Sequence, residues 1–253
     1  MGKVRKVILV RNNNVDAYGG GEMYQLLLAK KLAEAGFEPI IYTSCRKLRE
    51  EAKKEGIKAK TAWYCRQQNW SGIRNLLIPF YYIWQLILFF YYVCVLIKNH
   101  PAAINIQSRD DMIAATLAGK LCKVRVLWTD HADFRNWTME NVKSRFKNII
   151  GKTILKLARK PYRIILISKK DAEFFDGITK ELKLKNVEVI YNGVEDVYDT
   201  NKKPINDFYY IGRIVKEKGS LEEAARELVD EANRSGGSDN ISVILAAPDV
   251  GGD

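Results

Sequence analysis

Histidine and cysteine are scarce. Only His100 and His131, and Cys45, Cys65, Cys94 and Cys122, occur among 253 residues. No C-x-x-C pair and no metal-ligand spacing is present, which excludes zinc ribbons, redox dithiols and a disulfide scaffold. Reduced, mostly buried thiols in a cytoplasmic protein are the expectation. Also missing are the G-x-G-x-x-G fingerprint and the Walker pattern. The acid that should follow a dinucleotide loop by about 20 residues is replaced by I-I-Y-T-S, so a nicotinamide enzyme is disfavoured. The apolar run at 7–10 is too short for a signal-peptide core. No solenoid-period repeat occurs.

The last 34 residues lack more. Residues 220–253 hold no aromatic and no Lys, and carry 8 acidic against 2 basic side chains. All 27 aromatics lie before them, in a stretch with 39 basic and 22 acidic residues. Two compositions meet at Gly219/Ser220. The chain as a whole is 47% hydrophobic and 28% charged, an ordinary globular balance. Its net charge of +11 suits phosphates, nucleic acids or anionic lipids without choosing among them.

What is present is an alternation. Strand patterns fall at 6–11, 38–44, 58–64, 102–108, 124–129, 163–168 and 187–191. Helical periods lie between them: 22–35, 47–54, 76–97, 111–121, 139–160 and 169–182. Leu26, Leu27, Ala29, Leu32 and Ala33 form the first helix's apolar stripe, and Gly36 caps its end. This order predicts an α/β fold, a Rossmann-like parallel sheet with helices on both faces. Asn192-Gly193 reads as a turn and 195–207 as a polar linker, after which 208–211 opens a new strand.

Residues 76–97 are 22 without a charge, flanked by Arg74 and Lys98, long enough to span a bilayer. Eight of the thirteen residues 80–92 are aromatic, a density typical of the interface. Strands both before and after belong to one sheet, which a span would divide. The expectation is a helix that lies in the membrane interface or packs on the sheet.

Between the first strand and its helix runs R-N-N-N-V-D-A-Y-G-G-G-E, residues 11–22. Glycines let backbone approach an anion closely, and a helix N-terminus presents free N–H groups. Phosphate binding is one reading. The other is a turn that permits tight helix packing.

Five strings in register resemble the N-terminal half of a glycosyltransferase family 4 enzyme of GT-B architecture. They are G-G-G-E at 19–22, W-T-D-H at 128–131, L-I-S at 166–168, Y-N-G-V at 191–194 and Y-I-G-R-I-V-K-E-K-G at 210–219. The resemblance covers roughly residues 4–219. It implies sugar transfer from a nucleotide sugar with retained anomeric configuration, in a cleft between two Rossmann-like domains, with no cofactor and no metal. Gly20 and Gly21 would approach the donor phosphate or sugar through their N–H groups. His131 would face the transferred sugar or acceptor as the catalytic residue. Without the resemblance, His131 reads as a half-buried histidine bonded to backbone. Arg213 and Lys218 would neutralise the donor pyrophosphate, where two fixed cations stabilise a leaving diphosphate.

Beyond the seam, L-E-E-A-A-R-E-L-V-D-E-A-N-R-S-G-G-S-D-N-I-S-V-I-L at 221–245 resembles the C-terminal end of PPM-type serine/threonine phosphatases. Asp239 matches a metal ligand there. The other phosphatase acids are missing, and one carboxylate cannot hold two metals. The expected organisation is a glycosyltransferase domain at 1–196, a linker at 197–207, the opening of a truncated second domain at 208–219, and an acidic phosphatase-like tail at 220–253. A helix and strand of a second Rossmann unit is the alternative for that tail.

The leading function is therefore a retaining glycosyltransferase acting on a membrane-associated lipid or saccharide acceptor of the cell envelope. It would be cytoplasmic, peripheral to the inner membrane face, and weak or inactive as this chain alone. The alternatives are a non-catalytic membrane-surface or anion-binding module and, third, a phosphatase fragment. Nucleic-acid binding is not expected, because no recognition module is present.

Overall fold

The computed structural model describes residues 4–12, 18–64, 76–131, 149–169, 172–173, 180 and 183–193. All belong to the first of the chain's two units, Met1–Val194. Seven strands form one sheet: β1 (Lys6–Val10), β2 (Glu38–Thr43), β3 (Lys58–Thr61), β4 (Ala103–Ile106), β5 (Arg125–Asp130), β6 (Arg163–Leu166) and β7 (Val187–Val189). Their order is β3-β2-β1-β4-β5-β6-β7, and every pairing is parallel. The intervening helices are α1 (Gly20–Glu34), α2 (Arg46–Lys54), α3 (Ile78–Asn99), α4 (Arg109–Leu121) and α5 (Ile149–Leu157).

The chain winds outward from β1 to β3, returns through α3 to β4, and then winds the other way. Right-handed crossovers put α1 and α2 on one face and α3, α4 and α5 on the other. The two apolar clusters follow that division. Val7 and Leu9 pack with Leu26, Ala29, Leu48 and Ala52, whereas Ile8 and Val10 pack with Leu88, Tyr92, Leu96, Met112 and Trp128. The Rossmann-like α/β fold expected from the alternation is the one observed.

Local chemistry sets the element ends. Gly36, at φ 80°, terminates α1, and Phe37 N–H donates to Leu32 O at 2.9 Å. Pro101 follows the left-handed His100 that closes α3. The described part of the helix expected at 139–160 stops at Leu157, because Pro161 drives the chain into β6. Residues 139–148 lie outside the described residues. The fourth strand is shorter than 102–108, since Ser108 is the N-cap of α4, which starts at Arg109 rather than 111.

Three expectations need correction. Leu26 and Ala29 of the expected α1 stripe are buried and Leu32 packs against their cluster, but Ala33 is exposed, and Glu22 and Gln25 join the buried face. Its first turn faces a polar sheet edge rather than apolar core. Of the three described cysteines only Cys45 is buried; Cys122 is half-buried and Cys94 exposed on the outer side of α3. Asn192 and Gly193 carry no turn geometry. The helix expected at 169–182 lies almost wholly outside the described residues, as do Cys65, the linker and everything from 194 onward.

The aromatic helix packs on the sheet. Tyr81, Gln85, Leu88, Tyr92, Val95, Leu96 and Asn99 are its buried face. Because β1, before it, is hydrogen-bonded to β4, after it, both sheet halves stay on one side of this helix.

Candidate active site

The strand order reverses between β1 and β4, and open α/β sheets take ligands in the crevice beyond the carboxyl ends at such a point. The chain brings α1 and α4 to this edge by their N-termini. Gly19 is the N-cap of α1, and the Glu22 carboxylate folds back on it, Oε2 accepting from Gly19 N–H at 3.1 Å. Glu22 Oε1 accepts from Arg11 Nε at 3.0 Å. One loop N–H is therefore occupied by the protein's own carboxylate, whose charge Arg11 balances. A Cβ on Gly21 would collide with the Arg11 guanidinium, whereas one on Gly20 would meet nothing within 4 Å. A side chain at 21 would therefore have to push the end of the Arg11 side chain aside, whereas Gly20 faces open space.

Behind the loop sits a buried carboxyl. Asp111, in the first turn of α4, accepts from Asn12 Nδ2 at 2.9 Å and from Tyr92 Oη–H at 2.7 Å. Asn12 in turn accepts from Ser44 N–H at 2.8 Å, and its own N–H donates to Ser108 Oγ. This network ties the ends of β1 and β2 to α4 and α3. Burial pushes the Asp111 carboxyl up to about 7, against the lowering effect of the Tyr92 and Asn12 hydrogen bonds. Burial likewise pushes the Tyr92 phenol well above its ordinary range. Asp111 holds the edge together rather than facing a ligand.

The third part lies past β5. His131 follows the strand directly, and the Tyr24 ring meets its imidazole edge-on, centroids 4.5 Å apart at 72°. Tyr24 stands one helical turn, about 5 Å, beyond the glycines. Burial raises its phenol. Asp130 is buried beside Arg109, whose guanidinium burial pushes down while the Asp110 and Asp130 charges oppose the shift. Asn105 Nδ2 donates to Thr129 Oγ1 at 2.7 Å. Gln25 and Gln107 are buried as well.

Residues 18–197 match the sequence profile of Glycosyltransferase Family 4. The chain belongs to glycosyltransferase family 4. No curated protein matches it. Among solved structures it is similar to a glycosyltransferase from Rickettsia africae ESF-5, with 18% identity and a TM-score of 0.51 over 76% of this chain and 44% of that one. MnaA of S. aureus, solved with UDP, gives 14% and 0.51 over 78% and 49%. The lipopolysaccharide outer core galactosyltransferase WaaB in its apo form gives 13% and 0.50 over 75% and 46%. At these identities the likeness is one of fold, and the chain spans less than half of each.

In this family 4 domain, Gly20, Gly21 and His131 come to one sheet edge, linked through α1 and Tyr24. Arg213 and Lys218 lie outside the described residues. Sequence reasoning missed Tyr24, Gln25, Asn105 and Gln107. Period 3.6 in α1 and period 2 across 105–107 could have flagged the last three as polar residues on buried faces.

Proposed function

We propose that the chain supplies the N-terminal Rossmann unit of a retaining glycosyltransferase. The donor is a nucleotide sugar, and the acceptor is a membrane-associated lipid or saccharide of the cell envelope. The enzyme works in the cytoplasm against the inner membrane face. The observation that carries this reading is the convergence of the G-G-G-E helix start and His131 on the carboxyl edge of the sheet in a family 4 domain. UDP, with which the S. aureus neighbour was solved, is the first nucleotide to test.

In this reading Gly20 N–H contacts the donor, Gly21 lets Arg11 hold Glu22 clear of it, and His131 faces the reacting sugar. Arg213 and Lys218 neutralise the pyrophosphate, which is where the charge of the departing diphosphate builds. The test is binding and turnover of UDP-sugars by the chain and by Arg213→Ala, followed by NMR. Expected are binding weakened roughly 10-fold or more by the substitution and, wherever transfer is seen, an unchanged anomeric configuration. An inverted product overturns retention, and equal binding by Arg213→Ala overturns its role.

A second reading, a non-catalytic membrane-surface module, draws on the outer side of α3. There Phe80, Ile83, Ile87, Phe90 and Ile97 are between 40% and 66% exposed. Such a module binds vesicles but no UDP-sugar.

A further inference from the structure

Beneath α1 the sheet carries amide side chains that packing alone does not explain. Leu9, Asn105 and Leu127 are in register across β1, β4 and β5, so their side chains leave the sheet on one side. Leu9 belongs to the apolar cluster under α1. Thr129, which accepts from Asn105, and Gln107 follow at the two-residue period on that side. Above them α1 turns down Glu22, Gln25 and Leu26. Glu22 is held by Arg11, Leu26 joins the Leu9 cluster, and Tyr24 reaches out to His131. Gln25 is on the same buried side of α1 as Glu22 and Leu26.

Gln25, Asn105 and Gln107 are 0%, 3% and 6% exposed. Gln25 Nε2 and Oε1, Asn105 Oδ1, and Gln107 Nε2 and Oε1 have no hydrogen-bond partner among the described residues. A buried polar group left this way costs about 1–3 kcal/mol, and a leucine of similar size would remove that cost. Five such atoms near the edge where open α/β sheets take ligands point to polar partners from outside the chain, ordered water or a ligand's own groups. Amides present donors and acceptors together without charge, which matches a hydroxyl that donates and accepts. They give no countercharge to a phosphate or carboxylate.

We propose that Gln25, Asn105 and Gln107 form a subsite that reads sugar hydroxyls and so selects the saccharide. The proposal rests on the glycosyl-transfer reading of the same edge. Hydroxyls of a donor sugar and of an acceptor saccharide have the same chemistry, so the experiment separates them. Binding of UDP, UDP-glucose, UDP-galactose and the methyl α-glycosides of glucose, galactose and mannose is measured by NMR and calorimetry. The chain is compared with Gln25→Leu and Gln107→Leu.

Each leucine variant is expected to keep UDP affinity within about twofold. Saccharide affinity falls about 10-fold, the size of one or two neutral hydrogen bonds. The loss appears as a smaller gain of UDP-sugar over UDP if the donor sugar is read, and in the methyl glycosides if the acceptor is read. Without ligand, the variants unfold at the same or a higher temperature, because an unpaired buried amide has gone. Unchanged saccharide binding with intact UDP binding overturns the subsite alone, as does a lowered unfolding temperature in both variants. Failure of the chain to bind UDP or either UDP-sugar overturns the transfer reading, and the subsite with it.

Discussion

Adjacent glycines in the loop have different duties. Gly21→Ala places a methyl against the Arg11 guanidinium and displaces it from Glu22, whose carboxylate is almost wholly buried. Chemical denaturation should show a loss of at most about 1 kcal/mol, since the guanidinium ends a flexible, partly exposed side chain and Glu22 keeps the Gly19 N–H. Gly20→Ala meets nothing and should change stability by less than about 0.5 kcal/mol. Asp111 makes a pH-dependent contribution of opposite sign to the usual carboxylate. Its folded pKa lies near 7, above the unfolded value of about 3.9, so the folded state binds more protons between the two. Its contribution is greatest below pH 4, declines as pH rises to 7, and is level above. Relative to Asp111→Asn, the native chain should lose at most about 4 kcal/mol across that window in denaturant melts. A difference that stays flat from pH 4 to 8 would mean the carboxyl ionises normally in the fold.

At the scale of elements, α3 joins two surfaces. Tyr81, Leu88, Tyr92 and Leu96 face the core, while Phe80, Ile83, Ile87, Phe90, Cys94 and Ile97 recur at three- and four-residue steps on the outside. An exposed apolar stripe of this length is the kind of patch that meets another surface. Lys98 at its end and the basic balance of the chain favour anionic lipid as that surface. Vesicles containing phosphatidylglycerol should float with the protein, less so at high salt. Phe80→Ser with Ile83→Ser and Phe90→Ser should abolish flotation with circular dichroism unchanged. Equal flotation with neutral vesicles at any salt would exclude the electrostatic part. Hydropathy along 76–97 revealed the helix but not its two sides, because nearly every position is apolar. Only packing against α4 and the sheet separates the faces.

For the whole molecule, the sequence by itself determined the alternation of strands and helices, and with it the parallel α/β fold. Period-two and period-3.6 patterns, Gly36 and Pro101 are local instructions that each segment carries alone. The G-G-G-E and W-T-D-H strings, through the family resemblance, singled out Gly20 and Gly21 at a helix start and His131 after a strand. The tertiary structure decided what those residues face. Asn12 and Asp111 meet across 99 positions, and Tyr24 in α1 meets His131 past the end of β5. Such pairings depend on which strand lies beside β1, and the return through α3 sets that. Periodicity puts Gln25, Asn105 and Gln107 on buried faces, but it does not say what they meet there. They come to lie beneath α1 because the sheet order buries them there, where a polar group's surroundings are fixed by the fold rather than by its neighbours in sequence.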